Sequence, residues 1–149
     1  MQLDHIVKHI RDRAYMDGVT RDHLRRLHTS EFFTPTAMVM QILDGYDQSL
    51  FADPSSQWCD NSCGDGQFLG EIIIRKVQSG VSFELALESV FGVDIMPDNV
   101  ELCRQRLLCG REDLSHIVQR NIVVADSISY DYSFNRRRDV IADVLYFDP

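Results

Sequence analysis

Apolar residues recur at helical spacing over residues 4–16, where Ile6, Val7, Ile10 and Ala14 form one stripe with Tyr15 beside it. Asp17-Gly18 breaks this helix, and Thr20 caps a second short one that runs to about His28. Thr34 followed by Pro35 predicts a third helix, with Thr34 as the N-cap and Pro35 at the first helical position. Met38, Ile42 and Leu43 give this helix its buried face, and it ends near Asp44-Gly45. The stretch from Asp47 to Ser56 reads as a loop.

Beyond that point strands and helices alternate. Residues 56–60 form a short strand, and Asn61 to Gly66 a glycine loop. Residues 67–79 form a helix with Phe68, Leu69, Ile72, Ile73 and Val77 inward. Ser82 caps a second helix over 83–89. Residues 90–94 form a strand, and Pro97 opens a helix over 97–108 with Val100, Leu102, Cys103 and Leu107. Residues 121–125 form a strand ended by Asp126, and residues 139–147 are apolar enough for a buried strand. Strands separated by helices predict a parallel α/β sheet of Rossmann-like type. Residues 1–46 are expected to be an N-terminal helical extension, and 47–149 the Rossmann-like domain.

Composition narrows the class. The chain has 149 residues, 44% of them hydrophobic, with 8 Gly and 4 Pro, so collagen-like and low-complexity classes are excluded. No run approaches the ~18 apolar residues of a membrane span. The N-terminus lacks the apolar core and cleavage site of a secretory signal, so a soluble cytoplasmic protein is expected. Four cysteines, Cys59, Cys63, Cys103 and Cys109, follow no zinc-ribbon spacing and are expected as reduced thiols.

Net charge is −8, which argues against nucleic-acid binding by overall attraction. Residues 1–28 nevertheless hold six Lys/Arg against four Asp, whereas the rest holds nine against nineteen acids. Most basic helical faces of this kind are simply solvated.

Two segments carry candidate chemistry. Asp60-Asn61-Ser62-Cys63-Gly64-Asp65-Gly66 ends a strand in an acid, turns through two glycines and enters a helix. Such a turn lets backbone approach a ligand and offers free N–H groups, although glycines also serve ordinary turns. Gly70 is suited to close helix–strand packing. Asp94 ends the next strand in Gly92-Val93-Asp94-Ile95-Met96-Pro97, where an acid accepts ribose hydroxyls or, alternatively, caps the helix at Pro97. Asp126 adds a third acceptor at the same sheet edge, and a nucleoside-containing ligand is the expected occupant.

Residues 30–149 resemble the S-adenosylmethionine-dependent adenine-N6 DNA methyltransferases found in restriction–modification. Glu31-Phe32-Phe33-Thr34-Pro35 is similar to the family's F-x-T-P cofactor motif, with Val39 and Ile42 continuing its helix. Asp60 to Leu69 resembles D-P-x-C-G-x-G-x-F-L, with Asn61 in place of the usual proline. Gly92 to Pro97 resembles G-x-D-[IL]-x-P, and Asn121 to Ser127 the strand end beside the cofactor adenine. The resemblance implies a class I methyltransferase fold, incomplete at the C-terminus, that binds S-adenosylmethionine. It implies cofactor contacts from Phe33, Thr34, Pro35, Asp60, Cys63, Gly64, Gly66, Phe68, Asp94, Ile95, Asp126 and Ser127. Phe33 and Thr34 would cover the methionyl or sulfonium end, and Asp60 would accept the ammonium. Asp94 would hold the ribose hydroxyls, Ile95 would line the adenine pocket, and Asp126 would accept the adenine amine.

The family's catalytic [D/N/S]-P-P-[Y/F/W] matches Asp148-Pro149, where the sequence stops, or in a second registration Asp143-Val144-Leu145-Tyr146. In the first, Asp148 and Pro149 are the expected catalytic pair, although Asp148 also reads as a plain terminal acid. The acid and a backbone carbonyl would accept the hydrogens of the adenine amine and aim its lone pair at the methyl group. The stacking aromatic that holds a flipped base is missing, so the chain alone is expected to be weak or inactive. DNA is then reached through a further recognition region or second subunit, in a homo- or hetero-oligomer. Two other readings remain. One is a non-catalytic module that completes or regulates a partner. The other is a nicotinamide-dependent oxidoreductase, for which Gly70 falls one position late in G-x-G-x-x-G.

Overall fold

A computed structural model of the chain describes residues 1–12 and 34–134. Helix α1 spans Leu3–Arg11 and helix α2 Thr36–Asp44; a single helical turn, α3, covers Ser49–Ala52. Strand β1 (Trp58–Asp60) leads to α4 (Gln67–Gln78) and α5 (Phe83–Glu88). Strand β2 (Val90–Asp94) leads to α6 (Pro97–Leu108), a 3-10 turn at Glu112–Leu114, and α7 (Ser115–Asn121). Strand β3 (Ile122–Val124) follows at once.

The described strands form an open parallel sheet in the order β1-β2-β3. The fold is therefore α/β, and both crossovers are helical, as parallel pairing requires. Trp58, Val90, Gly92 and Ile122 share one face by register, and the large core lies there with α1, α2 and α4 to α7. The opposite face presents Phe91, Val93 and Val123, which pack with Phe134, Tyr130 and Ala125. No helix among the described residues is long and apolar enough to cross a membrane.

Helix α1 docks on α4 and α6. Ile6 and Ile10 are buried, and Arg11 donates from Nε and an amino group to both Glu71 oxygens at 2.8 Å. Gly70 is what allows this approach: a Cβ there would lie 2.7 Å from Ile10 Cγ2. The close contact made possible by Gly70 is thus helix against helix, not the expected helix against strand. The helix expected over 4–16 is described from Leu3 to Arg11, and the one expected after Thr20 lies outside the described residues.

Five further expectations are corrected. Helix α2 starts at Thr36, with Pro35 as N-cap and no side-chain cap, because the Pro35 carbonyl receives the Met38 and Val39 amides. Its buried pair is Val39 and Leu43, whereas Met38 and Ile42 are 53% and 43% exposed. Positions 39 and 43 lie one turn apart and face α4, leaving 38 and 42 on the neighbouring flank. The expected loop 47–56 contains α3, nucleated where Asp47 accepts the Ser49 amide at 3.0 Å, and it buries Phe51. Strand β1 begins at Trp58 rather than 56, and Asn121 belongs to α7 rather than β3. Asn121 donates from Nδ2 to the Glu88 and Val90 carbonyls, fastening α7 to the start of β2.

Lys76 is fully buried, and backbone and hydroxyl oxygens receive its ammonium. Its Nζ donates to the Asp53 and Ser56 carbonyls and to Ser56 Oγ, at 2.9, 2.8 and 2.9 Å, closing the segment after α3 onto α4. The expected cap at Ser82 is present, accepting the Leu85 amide. The strand expected over 139–147 lies outside the described residues.

Candidate functional site

The site is built at the carboxyl ends of the strands. In the sheet register Asp60 pairs with Gly92, and Asp94 with Val124. Asp94 therefore lies two residues beyond the partner of Asp60, and Asp126 two residues beyond the partner of Asp94. The Ala125 amide donates to the Asp94 carbonyl at 3.0 Å and extends the pairing of β2 and β3 to that point.

The glycine loop bridges the first two acids. Gly64 and Gly66 have φ of 53° and 92°, in the left-handed region that glycine adopts without strain. Gly66 is also confined, since a Cβ would meet Cys103 Sγ at 2.9 Å. The Cys63 amide donates to the Val93 carbonyl, and the Gly66 amide to the Cys63 carbonyl. The loop is thus pinned to β2 and α6 before α4 begins.

Asp94 is the centre of that pinning. Its Oδ2 accepts the Gly64 amide at 3.0 Å, and its Oδ1 accepts the Met96 amide at 2.8 Å and Asn99 Nδ2 at 3.3 Å. The N-cap of α6 is Met96, so Asp94 braces the turn before the helix rather than capping it. A carboxylate offers about four acceptor positions, and three are filled here from within the chain.

Asp60 is different. Its Oδ1 accepts the Ser62 amide at 3.0 Å, and Oδ2 has no hydrogen-bond partner among the described residues. Burial pushes the Asp60 carboxyl above its ordinary range; the Ser62 amide opposes this and the nearby Asp94 charge reinforces it. Beside it opens a cavity of about 190 Å³, walled by Leu43, Tyr46, Trp58, Asn61 and Phe68 among others. Trp58 stacks on Phe51 at 4.8 Å and meets the Tyr46 ring edge-on at 5.3 Å, which fixes the aromatic wall. An acid with an open oxygen against aromatic rings is an environment that favours a small organic cation.

The remaining expected residues are placed as follows. Phe68 is half-buried on the cavity wall. Ile95 is 57% exposed, just past Asp94. Asp126 is exposed and opens a turn, its Oδ1 accepting the Ile128 amide at 2.9 Å, with Ser127 half-buried next to it. Thr34 is half-buried and Pro35 exposed at the start of α2. Cys63 is buried, and its thiol is held protonated well above the usual range by the Cys103 thiol, by burial and by the charges of Asp60 and Asp94. It packs the loop against Gly92, where a Cβ would meet its Sγ at 2.9 Å. Phe33, Asp148 and Pro149 lie outside the described residues.

Sequence reasoning missed four contributors: Tyr46, Trp58, Asn99 and the Asp65–Arg106 pair. Asp65, inside the loop, receives Arg106 at 3.1 Å, with both side chains about 95% buried. Asn99, Cys103 and Arg106 recur at helical spacing on the inward face of α6. Polar residues on an apolar stripe were the available signal. Compared with known proteins, the chain matches no family model, no curated protein and no solved structure.

Proposed function

We propose that this chain is the S-adenosylmethionine-binding part of an adenine-N6 DNA methyltransferase, on a Rossmann-like fold of the class I methyltransferase type. The observation that carries the reading is the open carboxylate of Asp60, set at a strand end between a left-handed glycine turn and an aromatic-walled cavity. The parallel sheet order β1-β2-β3, with acids at successive strand ends, supports a nucleoside-binding half-sheet.

The residues fit the group. Asp60 offers an unfilled acceptor for an ammonium, and the 190 Å³ cavity takes one end of such a ligand rather than all of it. Asp94 retains one acceptor position for the ribose, and Asp126 stands exposed for an adenine amine. When bound, S-adenosylmethionine supplies an electrophilic methyl group. The chain's part is to orient the two polar ends of the ligand. Asp148 with Pro149, by the resemblance, accepts the hydrogens of a target adenine amine. The partners are DNA and a further recognition region or subunit, and the setting is cytoplasmic.

The test is competition for radiolabelled S-adenosylmethionine held by the full chain. S-adenosylhomocysteine is expected to displace it and a nicotinamide dinucleotide to leave it bound. Displacement by the dinucleotide alone would establish the oxidoreductase reading instead.

A further inference from the structure

Resting on the proposed reading of the cavity as a cation's seat, we infer that Lys76 is a positioning residue: acting through the Ser56 hydroxyl, it fixes the indole of Trp58 as the ring wall of that cavity. Donors and acceptors around Ser56 close without remainder. Lys76 Nζ has three protons, given to the Asp53 carbonyl at 2.9 Å, the Ser56 carbonyl at 2.8 Å and Ser56 Oγ at 2.9 Å. The Ser56 hydroxyl has one proton and two lone pairs. Its proton is turned toward the Leu50 and Asp53 carbonyls, and its lone pairs receive Lys76 Nζ and, at 3.3 Å, Trp58 Nε1. The buried ammonium on α4 is thus two hydrogen bonds from the indole.

Stacking alone does not set this ring. Trp58 lies on Phe51 at 4.8 Å with the planes 9° apart, and an indole turned over in that plane keeps the overlap. It then leaves its N–H without the Ser56 acceptor, which a Trp away from water needs. The bond to Ser56 therefore selects one orientation of the ring. Lys76 holds Ser56 by both its carbonyl and its hydroxyl, from the helix that also supplies Phe68, Leu69 and Ile72 to the cavity. The aromatic wall and the helical wall are fastened to each other at this point. Burying an ammonium costs desolvation. A methionine of similar volume would fill the same space and hold nothing.

Trp58 is the chain's one tryptophan, so its fluorescence reports this ring alone. The experiment compares the full chain with Ser56→Ala, Lys76→Met and the pair combined, reading Trp58 emission and calorimetric affinity for S-adenosylmethionine. Both single variants are expected to shift the emission, to open Trp58 to acrylamide quenching and to bind about two- to fivefold more weakly, the scale of a displaced ring–cation contact. The double variant is expected to be no worse than either, since each breaks the same link. Ser56→Thr, which keeps the hydroxyl, is expected to match the parent. So is Ser55→Ala, whose hydroxyl bonds Asp53 in the same segment. Where Lys76→Met does not fold, Lys76→Gln takes its place. Unchanged emission in Ser56→Ala, altered emission with unaltered affinity, or an equal effect of Ser55→Ala overturns the inference and leaves the proposed function standing. A folded parent that binds no S-adenosylmethionine overturns the proposed function, and Trp58 emission then still decides whether Lys76 sets the ring.

Discussion

The Gly64 amide donates to Asp94 Oδ2 at 3.0 Å across thirty residues of sequence, so the strand-end acid holds the glycine loop in shape. Asp94→Asn puts this to the test. The carboxamide has one accepting atom, whereas Gly64, Met96 and Asn99 present donors to both oxygens. One donor must then face another. The variant is expected to lose about 2 kcal/mol of stability, read by urea denaturation, and to exchange the Gly64 amide faster. Unchanged stability and exchange would mean that the loop holds its shape without Asp94.

A second hold on the loop is the buried pair of Asp65 with Arg106. Both charges are out of water, so removing one partner strands the other in a poor solvent. Arg106→Met is expected to destabilise by about 3 kcal/mol or more. Chemical denaturation with a two-state fit checks this, and a cost typical of an exposed pair, below about 1 kcal/mol, would contradict it.

Gly70 and Ile10 form a coupled pair. Gly70→Ala places a Cβ 2.7 Å from Ile10 Cγ2, an atom fixed close to its own backbone, so α1 must shift. The expected cost is about 1–3 kcal/mol. Ile10→Ala removes the obstructing atom at its own cost, and the double variant is expected to lose less than the sum of the two. Simple additivity in the cycle would show that α1 does not pack here.

Asp60 makes the folded chain sensitive to pH. Burial raises its folded-state pKa above the unfolded value of 3.8, against the Ser62 amide and with help from the Asp94 charge. Between those two values the folded state binds more protons than the unfolded chain, so this contribution to stability falls as pH rises through the folded pKa. Asp60→Asn removes the penalty. The variant is expected to be more stable than the parent near neutral pH, with the difference shrinking toward pH 3.8. Thermal unfolding across that range reads it, and a variant less stable at neutral pH would contradict it. Such a trade of stability for an open acid is common where a ligand is to be bound.

Much of this frame is legible from residues taken in order. The periods around Phe68 to Ile73 and Val100 to Leu107, the cap at Ser82 and Pro97 at the head of α6 place those helices where the structure has them. The missing pieces depend on contacts between segments. Helix α3 is one turn long and owes its place to Phe51 beneath Trp58, which no local period reveals. Helix α7 leaves only Ile117 and Val118 as an apolar signal, with Asn121 buried for its bonds to β2. On α2, both Met38–Ile42 and Val39–Leu43 form apolar pairs at the same spacing, and only the position of α4 decides between them. At the site, Asp60 and Asp94 look alike in sequence, as acids closing strands. Their difference, one open and one nearly filled, comes from the fold of the loop between them.

The central claim is that the open carboxylate of Asp60 receives the cationic end of S-adenosylmethionine. Calorimetric titration of the full chain, beside Asp60→Asn, tests it most directly. One ligand per chain is expected for the parent, and affinity lower by about ten- to a hundredfold for the variant, the scale of losing a charge-assisted hydrogen bond. Absence of heat for the folded parent at ligand concentrations up to about 1 mM, or equal affinity in Asp60→Asn, would contradict it.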